Sequence, residues 1–212
     1  MTFAFLLWLA CLAPADLPEL ESGLDTVVTT RNRSGKTDSF ADLRDRKVYP
    51  IVSIKGQVWM AANLSYALPG SRCYDDVQEN CLRYGRLYDW KDAQLACPDG
   101  WHLPHDTEWT RLEDIVGGRA KAGRSLKANG LWSFGGAGLD TWGFSVLPGG
   151  YCIETGECVF LGDDADFWTS TPKDELGAWH RGFGYGGIDS DRDVYYKSSS
   201  FSVRCVLNAT IQ

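Results

Sequence analysis

The residues best suited to chemistry in this chain are two runs of aspartate and a scatter of aromatics in the same half of the sequence. The runs are Asp163-Asp164-x-Asp166 and Asp189-x-Asp191-x-Asp193; the aromatics are Trp179, Tyr185, Tyr195 and Tyr196. Hard cations prefer oxygen ligands, so each run is a candidate calcium site. The second run lacks the glycine and distal glutamate of an EF-hand loop, and a charged hairpin tip is its plainer account. The aromatics fit ligand binding, because aromatic planes stack on the apolar C–H faces of sugar rings. Trp142 and Trp168 lie among apolar neighbours and are expected in the core instead.

Catalytic machinery is harder to find. His180-Arg181 could do acid–base work near Asp189, yet no serine or cysteine partner is specified, so a surface salt bridge is the expected arrangement. Gly149-Gly150 and the glycine-rich run 182–187 are not phosphate loops: neither leads into a helix or carries a lysine. No catalytic residue and no cofactor other than calcium is assigned.

Thiols take a different role. Of the seven cysteines, Cys11 falls in an apolar leader, and Cys73, Cys81, Cys97, Cys152, Cys158 and Cys205 remain. An even number in an exported chain reads as disulfides. Close spacing favours Cys73 with Cys81 and Cys152 with Cys158, leaving Cys97 with Cys205 across a loop of roughly a hundred residues, a link contributing about 4 to 5 kcal/mol in the chain-entropy model. Zinc is the competing reading, but there is no Cys-x-x-Cys pair and the three histidines, His102, His105 and His180, are scattered.

The leader, residues 1–15, is uncharged, and its apolar run from Phe3 to Leu12 is short for a bilayer span. Ala13-Pro14-Ala15 fits signal cleavage. Cys11 after Leu9-Ala10 resembles a lipobox, which makes a lipid anchor the alternative. An exported protein at the outer membrane, cell surface or beyond follows from either. The net charge of −7 makes nucleic acid a poor partner.

The elements that must position these residues follow from periodicity. Residues 16–39 are polar and read as a flexible linker, with one domain from 40 to 208. Val48 to Trp59 alternates as a hairpin turning at Lys55-Gly56. Leu87 to Ala96 steps as a short helix, stopped by Pro98-Asp99-Gly100. A second helix starts at His105 to Asp106 and carries Trp109, Leu112, Ile115 and Val116 on one side, up to Gly117-Gly118. A further helical turn is expected over 120–128. Beyond Gly130 come short strands and long loops, closing on a core strand from Phe201 to Leu207 that returns Cys205 to Cys97.

The run Ala93-x3-Cys97-x3-Trp101-x-Leu103-Pro104-x3-Glu108-Trp109-x2-Leu112 looks like the two-helix segment of C-type-lectin-like folds, including the formylglycine-generating branch. FADLRDRKVYPIVSIKGQVWMAANLSY (40–66), CYDDVQENCLRYGRLYDW (73–90), ACPDGWHLPHDTEW (96–109), WGFSVLPGGY (142–151), FWTST (167–171) and SVRCV (202–206) together resemble the Fibrobacter succinogenes major paralogous domain. The resemblance implies an α+β, C-type-lectin-like fold: two short helices packed on small twisted antiparallel sheets with long loops, stapled by disulfides. It also implies a bacterial exported or lipoprotein-borne module of no established activity; a long-loop face that meets a polysaccharide or an envelope protein is the expected role. His105 stands where the family pattern has Thr or Ser, which weakens the capping box with Glu108 by about 1 kcal/mol. The loop proline, Pro148, lacks the flanking ligands of calcium-dependent lectins. An oxidase of the formylglycine-generating type is the alternative, and it would need reactive thiols.

Overall fold

The computed structural model describes residues 38–209, so the leader, Cys11 and nearly all of the linker lie outside the described residues. Two five-stranded sheets form the frame. The first runs β1-β2-β3-β12-β5, from β1 (Ser39–Ala41), β2 (Val48–Ile54), β3 (Gln57–Met60), β12 (Val206–Leu207) and β5 (Trp101–His102). The second runs β10-β9-β8-β11-β4, from β10 (Asp191–Tyr196), β9 (Gly177–Gly184), β8 (Asp164–Pro172), β11 (Phe201–Ser202) and β4 (Leu87–Tyr88). All neighbours are antiparallel except β11 beside β8. A ribbon of β6 (Tyr151–Cys152) and β7 (Cys158–Val159) stands apart.

The β2–β3 hairpin forms as expected. Ile54 pairs with Gln57, and both loop residues take positive φ, Lys55 at 47° and Gly56 at 88°, the backbone of a tight two-residue hairpin turn.

Among the described residues four α-helices are present rather than two and a turn: α1 (Gln78–Tyr84), α2 (Trp90–Ala96), α3 (Asp106–Ile115) and α4 (Arg119–Leu126). The polar sequence of α1 hides its helical face, which buries only Cys81 and Tyr84. The expected 87–96 helix starts three residues late, because Leu87 and Tyr88 pair with Ser202 and Phe201 in the second sheet. Asp89 then caps α2, accepting from Asp92 N at 2.7 Å. At α3 the missing Thr or Ser is replaced from across the fold. Thr171 Oγ1, on β8, accepts from Asp106 N at 3.0 Å, and Glu108 accepts from His105 N at 2.8 Å. The His105 ring turns to Ser170 Oγ, 2.9 Å away.

The closing strand is broken in two. Phe201, Val203 and Cys205 are buried on one face as the alternation requires, but Ser202, Arg204 and Val206 are buried as well. The segment passes from the second sheet to the first, so both its sides are interior. Arg204 holds the crossing: its guanidinium donates to Asn63 Oδ1 at 2.7 Å, to Ser145 O at 2.8 Å, and to the carbonyls of Met60 and Phe144. Burial lowers its pKa to about 9.

The three disulfides join Cys73–Cys81, Cys97–Cys205 and Cys152–Cys158. One core cluster, around Tyr88, Trp168 and Phe201, lies between the sheets and α2. The other, around Trp59, Trp109, Phe144 and Phe167, is covered by α3 and α4. Among the described residues no helix is long and apolar enough to cross a membrane.

Candidate functional site

Strands β8, β9 and β10 carry the two aspartate runs to one place. Side chains alternate across a sheet, so residues two apart share a face. In register, Asp166 and Asp191 both pair with Gly182, Trp168 and Asp193 both pair with His180, and Asp164 pairs with Gly184. The central strand therefore has glycine where its neighbours have carboxylates. The result is a cleft of about 400 Å³, floored by Gly182 and Gly184 and lined by Asp164, Asp166, Asp189, Asp191 and Asp193. Tyr151, His180 and Tyr195 line it as well, with the two tyrosine rings meeting edge to face at 5.6 Å. A Cβ built on Gly182 would stand 3.1 Å from Asp166 Oδ1 and 3.4 Å from Asp191 Cβ, so the missing side chain is what keeps the floor open.

The cleft is short of hydrogen-bond donors. Among the described residues, Asp164, Asp166 and Asp189 receive no side-chain hydrogen bond, and Asp191 and Asp193 receive only the backbone N–H of Arg192 and Val194. His180 is 6 % exposed. Its Nδ1 lies 3.1 Å from Asp166 Oδ1 but out of line for a hydrogen bond, which leaves that nitrogen without a hydrogen-bond partner. Burial, reinforced by the neighbouring Asp166 and Asp163 charges, pushes Asp164 up to about 6. The nearest lysine, Lys127, donates instead to the carbonyls of Gly184 and Gly187.

The opposite face of the same strands is saturated. Arg181, fully buried, donates to Asp106 Oδ1 at 2.6 Å and Glu113 Oε1 at 3.0 Å. Arg192 closes on Asp106 Oδ2 at 2.8 Å and covers Trp179, its guanidinium carbon 3.6 Å from the ring centroid. His180-Arg181 is thus no surface salt bridge: alternation sends the two side chains to opposite faces, each buried.

This geometry sorts the expected ligand residues. Asp164, Asp166, Asp189, Asp191, Asp193 and Tyr195 come together in the cleft. Asp163 stays in the preceding turn. Trp179 belongs to the arginine face, and Tyr196 points away from the cleft into a groove with Asp174, Glu175 and Leu176. Tyr185 follows the last floor glycine and meets Phe134, which is 88 % exposed, at 5.4 Å between ring centroids. Trp168 is buried, while Trp142 is half-buried against the second core cluster. The aromatics do not make one platform: Tyr195 lines the cleft, Trp179 lies on the other face, and Tyr185 and Tyr196 lie outside the cleft lining. Among the described residues no three His, Cys, Asp or Glu side chains stand close enough to hold a metal ion as they lie.

A family profile, the Fibrobacter succinogenes major domain, matches residues 52–207. The chain belongs to this family. The matched span of this Fibrobacter succinogenes major domain contains the whole cleft and all three disulfides. No curated protein and no solved structure matches the chain.

Five contributors to the cleft were not singled out from sequence as ligand residues: Tyr151, Gly182, Phe183, Gly184 and Gly187. Gly182 and Gly184 carried a signal. In Arg181-Gly182-Phe183-Gly184 large and absent side chains alternate with the period of a strand, which marks one crowded face and one bare one. Tyr151 arrives from the separate ribbon, and nothing local marks it.

Proposed function

We propose that this chain is an exported carbohydrate-binding module of C-type-lectin-like architecture, with the acidic cleft on β8–β10 as its binding site. One observation carries the reading: two aspartate runs distant in sequence meet across a glycine-floored strand, with acceptors unsatisfied and two tyrosine rings beside them. Sugar hydroxyls are donors that carboxylates accept, and the tyrosines offer faces for pyranose rings. The cleft lining on β9 runs from His180 to Gly184, roughly 13 Å of extended strand. That is room for an oligosaccharide. Three disulfides favour an oxidising compartment such as the envelope or cell exterior. The oxidase alternative is poorly served, because all six cysteines of the described residues are tied in pairs.

The test is retention of the protein on cellulose, xylan, chitin and chitosan, with calcium and then with a chelator. The reading expects retention on at least one glycan, lost in Gly182→Ala, whose new methyl group fills the floor. Loss in chelator would assign calcium a part in the site. Retention on none, or retention indifferent to Gly182→Ala, overturns the reading.

A further inference from the structure

Resting on the carbohydrate reading, we infer that the cleft selects glycans bearing free amino groups, the ammonium of a deacetylated amino sugar lying between its two carboxylate walls. The charge of the lining favours a cationic donor. Five aspartates line the cleft, and no lysine or arginine does. The two arginines of these strands are consumed on the other face by Asp106, Glu113 and Trp179.

Ionised carboxylates only accept hydrogen bonds, and an ammonium only donates them, three at a time. A second observation, independent of the acidic residues, points the same way. His180 is 6 % exposed, lines the cleft, and its Nδ1 has no hydrogen-bond partner. Buried polar atoms in that condition are uncommon and call for a partner. Placed 3.1 Å from Asp166 Oδ1 but out of line with it, the imidazole gives that carboxylate no aligned hydrogen bond.

Side-chain placement favours an organic cation over a single metal ion, since among the described residues no three His, Cys, Asp or Glu side chains stand close enough to hold one. Asp166 and Asp191 flank Gly182 from strands two spacings apart, about 9.6 Å at the backbone. A metal ion needs ligand atoms about 2.0 to 2.6 Å from one point, whereas an ammonium on a pyranose ring fills a gap between walls. Tyr151 and Tyr195, which line the cleft, supply ring faces for a flanking sugar, and tyrosine faces also attract cations.

Chitosan and chitin separate the idea cleanly, since they share a backbone and differ in whether the amine is free. The expected result is retention on chitosan about tenfold above chitin, falling with added salt and abolished in Asp191→Asn/Asp193→Asn. The charge-matched variant Glu79→Gln/Asp114→Asn, altered far from the cleft, must keep the preference, because any acidic protein is drawn to a polycation. Equal retention on chitin and chitosan, with Gly182→Ala losing both, would overturn the amino-group inference and leave the carbohydrate reading standing. A chitosan preference weakened equally by the distant variant would also overturn it, as net charge alone would then be responsible. Retention on no glycan would defeat both.

Discussion

The two faces of β8–β10 carry similar numbers of charges and treat them in opposite ways. On the helix-side face, Arg181 and Arg192 are matched to Asp106 and Glu113 by short, aligned hydrogen bonds, and Ser190 and Thr110 complete the set. On the cleft face, five carboxylates and one imidazole share almost none. A buried charge without its partner is costly, so the first face can only be structural: every group there is already spoken for. Unsatisfied acceptors at an open, glycine-floored cleft are the complementary case, and the proposed glycan would supply the missing partners from outside. Satisfaction of polar groups, more than charge itself, separates scaffold from site.

The covalent links set the upper end of the scale against which either face is measured. Cys97→Ser should cost about 4 to 5 kcal/mol, since that bridge closes a separation of 108 residues, and Cys152→Ser only about 2 kcal/mol, its separation being 6. Chemical denaturation of both variants checks this, and equal losses would contradict the loop-length account. Arg181→Met leaves Glu113 buried without its cationic partner and Asp106 with Arg192 alone, and should destabilise by about 3 to 5 kcal/mol. If it were neutral, the saturated face would not be structural in the sense argued here.

The pH response should separate the faces by sign. Burial alone would raise Asp106, but its bonds to Arg192 and Arg181 more than offset this and hold it below its ordinary 3.8. The stability it contributes is therefore complete above that value and is lost as the pH falls through the lowered one. Asp164 behaves in reverse. It faces Asp163, Asp166 and Lys127, and its carboxyl is raised to about 6, so its ionised form is penalised in the fold and stability rises as the pH drops from about 6 towards 3.8. Solvent screening keeps the effect small. Melting curves between pH 7 and pH 3 should thus rise and then fall, and a monotonic decline would contradict the assignment. Smallest of all is Asp191→Asn/Asp193→Asn, expected to change stability by less than about 1 kcal/mol, with relief of like-charge repulsion favouring an increase.

How much of this could be read from sequence depends on whether the signal was local. The β2–β3 hairpin, α3 with its buried Trp109 and Leu112, and the three disulfides were legible, because a turn pair, a helical period and cysteine spacing are properties of short segments. The start of α2 was not, since Leu87 and Tyr88 are drawn into a sheet by residues more than a hundred positions away. Nor was the break in the closing strand, which depends on Arg204 finding carbonyls on two other segments. At the candidate site both aspartate runs were visible as oxygen-rich clusters, yet they looked like two sites. Their union is a matter of strand register: one residue of slip would turn Asp191 and Asp193 to the arginine face and Arg192 into the cleft.

The most direct measurement takes Asp191→Asn/Asp193→Asn and Arg181→Met through the same two assays, melting temperature and retention on chitosan. The account predicts that the double variant melts at or above the parent protein and loses retention, while Arg181→Met melts far lower. A double variant that melted as low as Arg181→Met, or that melted normally and still bound, would show that the cleft carboxylates hold the fold together or do nothing for a ligand, and either result would contradict the division between the two faces.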